Sequence, residues 1–231
     1  MIVFDVDGTI LPGTSCEKLF VRYLLKKRIL RAANWLNFCR RGISLVTRGL
    51  PYVTKANKGY LRGFSCDYMV AEGRRFFDEV VIPRVSQRGI ERIRAHQSKG
   101  ERVILFSGMP DFLLENLSDF LEVGEYYGSV MEIREVRFTG RTLGPFPLSR
   151  GKITALEMIM RGAYPGSNLS REDGNVSQTP VAVDWQGITF YGDHWLDRFL
   201  LRKVGRPVVV NPGEKLRKLA ELRGWPVEEF N

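Results

Sequence analysis

The chain has 231 residues, 44% of them hydrophobic, with 35 Lys or Arg against 26 Asp or Glu, which is enough apolar material for a sizeable core and excludes a disordered tail. Three cysteines, Cys16, Cys39 and Cys66, are an odd number without metal-ligand spacing, so neither a disulfide framework nor a zinc site is expected and a reducing cytoplasm fits. No apolar run reaches the roughly 18 residues of a membrane span, and no basic leader with a cleavage site precedes the first strand, so membrane spanning and secretion are not expected.

The opening MIVFDVDGTILPG predicts a short buried strand at Ile2, Val3 and Phe4, ended by Gly8, with Asp5 and Asp7 at its C-terminal end. In open α/β sheets that edge is where ligands bind, although an Asp-Gly pair also suits a plain turn. Residues 15 to 48 then read as helical, with Leu19, Phe20, Tyr23, Leu24, Leu30, Trp35, Leu36 and Phe38 at roughly helical spacing, and Leu50-Pro51 marks a break. From Gly13 to Arg62 there are twelve Lys or Arg against the single acid Glu17, a net +11 where the whole chain carries +9, so the basic character belongs to this segment. Further helices are expected over about 66 to 79 and 84 to 99, the second carrying His96 on its surface.

The pattern then changes. Arg102 to Phe106 predicts a strand ending at Ser107-Gly108, and Pro110 starts a helix over 111-DFLLENLSDFL. Ser129 to Phe138 and Arg141 to Gly144, with Thr139-Gly140 between them, suggest a β-hairpin. Lys152 opens a helix, 163 to 187 reads as a long loop, and 188-ITFYGD is a strand leading into the helix 195-WLDRFLLRKVG. A fourth strand, 207-PVVVN, precedes a last helix at 213 to 223. Strands alternating with helices predict a doubly wound, mainly parallel α/β sheet. The helical stretch between the first two strands is too long for one crossover and reads as an inserted lid. The division is a core of residues 1–12 and 101–231 and a helical lid of 13–100.

Polar residues thus end three strands at one edge of the sheet: Asp5 and Asp7, then Ser107, then Asp193 with Asp197 a turn later, and Lys152 opens a helix between the last two. Each has a plain structural reading alone, Ser107 as a strand end, Lys152 as a solvated helix residue, Asp193 as a helix cap, Asp197 as a partner for Arg198 or Arg202. Taken in order, DVDGT at 5 to 9, the serine of ILFSG, the lysine of GKITAL and GDHWLD at 192 to 197 resemble the four motifs of the haloacid dehalogenase-like (HAD) phosphohydrolases. The helical lid between the first two motifs and the ending 207-PVVVNPGEKLRKLAELRGWPV look like its phosphoserine-phosphatase-like branch, subclass IB.

The resemblance implies a Rossmann-like core and hydrolysis of a phosphate monoester. It makes Asp5 the nucleophile that forms an aspartyl-phosphate, and Asp7 first the acid for the leaving oxygen and then the base for water, which asks for a pKa above the ~3.9 of free aspartate. Mg2+ would be bound by the Asp5 and Asp193 carboxylates and the Asp7 carbonyl, an oxygen set suited to a hard cation. Ser107, Gly108 and Lys152 would hold the phosphoryl oxygens, with Asp197 orienting the cluster from behind. An aspartate two residues after the nucleophile favours phosphatase over dehalogenase or ion-pump chemistry. Two departures stand out: the lid-entry glutamate that binds the amine in phosphoserine phosphatases has no clear counterpart among Thr14, Ser15, Cys16 and Glu17, and the 163 to 187 segment is longer than usual. His194, beside Asp193, either touches the site or simply turns its ring to solvent.

The basic lid has three readings. Phe20, Tyr23, Leu24, Trp35 and Phe38 could meet lipid while Arg22, Lys26, Arg31, Arg40 and Arg41 meet headgroups, giving peripheral contact with an anionic membrane at the inner surface and a phospholipid-like substrate. Alternatively the patch binds nucleic acid or another polyanion, or the aromatics are the lid's own core and the basic residues a solvated face. Phosphotransfer to another acceptor, or phosphate binding without turnover, are the other functions such a chain allows.

Overall fold

A computed structural model of the chain describes residues 1–165 and 182–231. Six strands, β1 (Ile2–Phe4), β2 (Val103–Pro110), β3 (Glu125–Ser129), β6 (Thr189–Gly192), β7 (Arg206–Val210) and β8 (Val227–Glu228), form one sheet in the order β3-β2-β1-β6-β7-β8. Every pairing in it is parallel. A parallel sheet buries both faces, and the period of two in each strand sorts its side chains between two cores. Phe4, Leu105, Tyr191 and Val208 enter one, with Phe20, Phe76, Ile93, Leu113 and Phe230. Val3, Ile104, Phe106, Phe190 and Val209 enter the other, with Leu156, Leu200 and Leu216. Each such fully buried side chain contributes about 1.5–3 kcal/mol. The first core is shared between the sheet and the inserted helices.

The insertion holds α1 (Cys16–Lys26), α2 (Ala32–Leu45), α3 (Leu50–Lys55), α4 (Cys66–Phe76) and α5 (Gln87–Gln97). The single helix expected over 15 to 48 is two helices. Arg28, at φ 57°, ends α1, and a new axis starts at Ala32. The break expected at Leu50-Pro51 falls one residue earlier, at Gly49 (φ 98°), and Pro51 sits in the first turn of α3, where its missing N–H costs nothing. His96 is not at the surface: one ring nitrogen lies 2.6 Å from a Glu101 carboxylate oxygen, the other 2.8 Å from the Tyr191 hydroxyl, because α5 packs on the sheet.

Past β2 and α6 (Asp111–Phe120), the hairpin of β4 (Met131–Arg134) and β5 (Arg137–Thr142) turns at Glu135 and Val136, not at Thr139-Gly140. Both turn residues have positive φ, 47° and 60°, the geometry of a type I′ turn, while Gly140 lies within β5 against Gly59 and Arg62. Helix α7 (Gly151–Met160) follows. Of the loop expected at 163 to 187, residues 166–181 lie outside the described residues. The helix expected from Trp195 is a 3-10 turn at Trp195–Asp197 and a short α8 (Arg198–Leu201), and α9 (Glu214–Arg223) precedes β8. Strands β3 and β8 were not foreseen; their pairing gives the sheet six strands in place of four. No helix among the described residues is long and apolar enough to cross a membrane.

Candidate active site

The chain runs from β1 outward to β2 and β3 on one side, and returns to β6, β7 and β8 on the other. The crevice where the order reverses, beyond the carboxyl ends of β1 and β6, is the place where such sheets bind ligands. A cleft of about 750 Å3 opens there, between the sheet edge and α1, α2 and α3.

On its floor, Asp5 leaves β1 with one carboxylate oxygen accepting from the Val6 amide at 2.9 Å and the other 2.8 Å from Lys152 Nζ. Lys152, in the first turn of α7, is also 2.7 Å from Asp197 Oδ1, and the second oxygen of Asp197 accepts from the His194 amide at 3.1 Å. Asp197 is therefore fully engaged in holding Lys152 and the turn after β6. Asp193 is placed beside them, its Oδ1 within 3.5 Å of the Thr9 hydroxyl. Asp5, Asp193 and Asp197 each offer an oxygen within 4.8 Å of the others. Burial raises the Asp5 carboxyl well above the carboxylate range, opposed by Lys152, and burial followed by repulsion from Asp5 and Asp197 does the same to Asp193. Lys152 is held charged by the carboxylates against burial, which works to lower its pKa. An all-oxygen cluster of carboxylates left short of positive charge is the donor set that a hard divalent cation fits.

Gly8 is required by this packing. Its φ is 80°, and a Cβ there would lie 2.0 Å from Asp193 Oδ2. Asp7 turns to the start of α1, where its oxygens accept from the Ser15 hydroxyl and the Cys16 amide, both at 2.9 Å. Ser107 is buried, and its hydroxyl oxygen accepts from the Met109 amide at 3.2 Å, which leaves its proton free for a ligand oxygen. The Gly108 carbonyl accepts from Ser129 Oγ and Lys58 Nζ. Asp5, Asp7, Ser107, Gly108, Lys152, Asp193 and Asp197 thus all line one cleft, as does His194, whose pKa is lowered, chiefly by burial.

Two features at or behind the cleft wall were not foreseen. Lys58 is fully buried and pairs with Glu17, which also accepts from the Tyr60 hydroxyl at 3.0 Å. Burial raises the Glu17 pKa against the pull of Lys58. Asn211 donates to the Gly8 carbonyl at 2.9 Å and accepts from the Phe230 amide at 2.7 Å, tying the end of β7 to the Asp5–Asp7 loop. The Asn-Pro pair was visible as a turn in the sequence, whereas nothing marked Lys58. Phe20, Tyr23 and Leu24, which the lipid reading turns outward, are buried, as the reading that makes the aromatics the lid's own core has them.

A profile of the haloacid dehalogenase-like hydrolases, HAD, matches residues 2–202. The chain belongs to that family. Among its relatives is a histidinol-phosphatase of Neisseria meningitidis, 26% identical over 100% of this chain and 98% of the relative. A phosphoserine phosphatase of Mycobacterium tuberculosis is 27% identical over 98% of this chain and 70% of its own length. In fold, the HAD chain resembles a Bordetella pertussis protein of unknown function, with a TM-score of 0.76 at 23% identity, covering 100% of this chain and 98% of the other. It also resembles a phosphoserine phosphatase crystallised as a phospho-aspartyl intermediate analogue, with a TM-score of 0.56 at 15% identity over 100% and 92% of the chains. The HAD chain is a phosphatase with a phosphoserine-phosphatase-like fold.

Proposed function

We propose that this phosphatase hydrolyses a phosphate monoester through an aspartyl-phosphate on Asp5, and the observation that carries the reading is Lys152 bridging Asp5 and Asp197 beside Asp193 at the sheet's switch point. Asp5 attacks phosphorus as the ester P–O bond breaks, and Asp7 gives its proton to the leaving oxygen. Asp7 then takes a proton from the water that attacks the acyl-phosphate, releasing phosphate and restoring Asp5. The Ser107 hydroxyl, the Gly108 amide and Lys152 hold the phosphoryl oxygens. Mg2+, held by Asp5, Asp193 and the Asp7 carbonyl, would neutralise phosphoryl charge. The lid of this reading is the insertion at 13–100, with α5 as its return onto the core. Three free cysteines support a cytoplasmic setting.

The cleft also bears on the substrate. Among the described residues, Glu17 is the only lid carboxylate lining it, and Lys58 and Tyr60 already occupy that group. Phosphoserine and histidinol phosphate each carry an ammonium, for which the described lid residues lining the cleft offer no free counter-charge. The mouth instead presents Lys18, Arg22 and Lys55 with Val21, Trp35 and Phe38, which suits a monoester with an apolar body and no ammonium, as in a phospholipid-like phosphate. The test is phosphate release with Mg2+ over phosphoserine, histidinol phosphate, sugar and nucleotide phosphates and lysophosphatidate. Asp5→Asn is expected to lower every rate at least ~1000-fold. Retention of turnover in that variant overturns the mechanism, and a preference for the amino-bearing esters overturns the substrate reading.

A further inference from the structure

Helix α2 has two faces with different fates. Asn34, Gly42 and Leu45 are buried, and the inward side is fixed by hydrogen bonds from Asn34 Nδ2 to the Tyr60 carbonyl at 3.2 Å and from Asn57 Nδ2 to the Phe38 carbonyl at 2.8 Å. The opposite side carries Leu36 and Ile43, seven residues apart and so on one face, 60% and 75% exposed. Val46 in the following turn and Leu50 at the start of α3 continue the apolar run at 59% and 78% exposure. Large aliphatic side chains gathered this way on one surface mark a contact site, unlike single exposed apolar residues. Arg40 is exposed on α2 itself, Arg31 at its start, and Lys26 and Arg28 just before it in the chain, and none of the four ion-pairs with a described carboxylate. Trp35 joins the two faces: it is 40% exposed and also lines the cleft.

We propose that the outward face of α2 and the start of α3 docks on an anionic lipid bilayer, Leu36, Ile43, Val46 and Leu50 entering the acyl boundary while the basic rim meets the headgroups. A second copy of this chain fits the surface less well, since a two-fold contact would set this unpaired positive rim against its own copy. An anionic bilayer is complementary to both the apolar centre and the basic rim. The docked orientation brings the cleft mouth, through Trp35, to the headgroup layer.

Flotation of the wild-type chain with vesicles measures this without any turnover, so its outcome is separate from that of the phosphatase reading. The chain is expected to float with vesicles of phosphatidylglycerol and phosphatidylcholine, to bind pure phosphatidylcholine at least about tenfold less, and to be released by raised salt. Ile43→Ser with Leu50→Ser is expected to reduce vesicle binding about tenfold, with an unchanged circular dichroism melt and unchanged hydrolysis of soluble p-nitrophenyl phosphate. Absence of flotation with anionic vesicles, equal binding to both compositions, or binding untouched by the double substitution overturns the proposal. So does a concentration-dependent dimer, seen by light scattering, that the same substitutions dissolve, since the face would then belong to a second copy.

Discussion

Lys58 and Glu17 show how much a single buried pair can set at this site. Lys58 is wholly enclosed, donating to the Lys55 carbonyl at 2.9 Å and the Gly108 carbonyl at 3.1 Å as well as to Glu17, so it joins the lid to the end of β2. Replacing it with methionine fills the volume but leaves the Glu17 carboxylate, 16% exposed at the cleft, with only the Tyr60 hydroxyl as partner, at a cost of about 3 kcal/mol, the low end for a pair that is not fully enclosed. The sign with pH follows from Glu17, whose pKa is already raised by burial and rises further once Lys58 is gone. Ionised Glu17 is what destabilises the variant, so the loss is largest at pH 8 and shrinks as pH falls and the carboxyl takes its proton. Thermal melts of Lys58→Met at pH 5 and pH 8 check this, and adding Glu17→Gln is expected to recover most of the loss at pH 8. Gly8 gives a second test at the same scale. With φ at 80° and the Asp193 carboxylate 2.0 Å from where a Cβ would stand, Gly8→Ala is expected to cost about 1–2 kcal/mol and to lower the rate at least about tenfold, read by melting and phosphate release.

Among elements, the β4–β5 hairpin holds correctable strain. Val136 has φ 60°, a region that β-branched residues avoid, and Glu135 beside it is at 47°. Glu135→Asn with Val136→Gly supplies the residues that a type I′ turn prefers, and the Val136 carbonyl can still accept from the Cys66 amide. The expected gain is about 1–2 kcal/mol in a denaturant melt, with no change in turnover because the turn is outside the cleft. The same hairpin shows what the sequence conceals. Thr139-Gly140 looked like the turn because glycine marks turns, but Gly140 is needed for close approach to Gly59, a contact between segments far apart in sequence. Asp5, Asp7, Lys152 and Asp193 could be read because each follows a strand or opens a helix whose pattern is local, and Ser107 was found although β2 runs on past it to Pro110 and does not end there. Lys58 and Asn211 act through contacts with Glu17 and Gly8 that only the folded chain creates. Helix α2 makes a related point: Trp35 is its most conspicuous residue in the sequence, yet Leu36 and Ile43 are more exposed, because periodicity alone does not say which side of a helix the rest of the fold covers.

For the whole molecule, the cost of gathering Asp5, Asp193 and Asp197 is spread over both sheet halves, since β1 brings the first and the segment after β6 the other two. Lys152 is the one lysine ion-paired into this cluster among the described residues, so like-charge repulsion opposes the junction of β1 with β6. A divalent cation that binds the folded cluster and not the unfolded chain removes that repulsion and adds stability by mass action, about 2.7 kcal/mol at a hundredfold excess over its dissociation constant. Mg2+ is therefore expected to raise the melting temperature by several degrees, and EDTA to reverse the rise. Protons compete with the metal for the same oxygens, so the Mg2+ effect is larger at pH 8 than at pH 5. Asp193→Asn removes one ligand and one repelling charge together. Its melting temperature without metal is expected to equal or exceed that of the wild type, while its response to Mg2+ falls away. A variant that stayed as responsive to Mg2+ as the wild type would place the cation elsewhere than between β1 and β6.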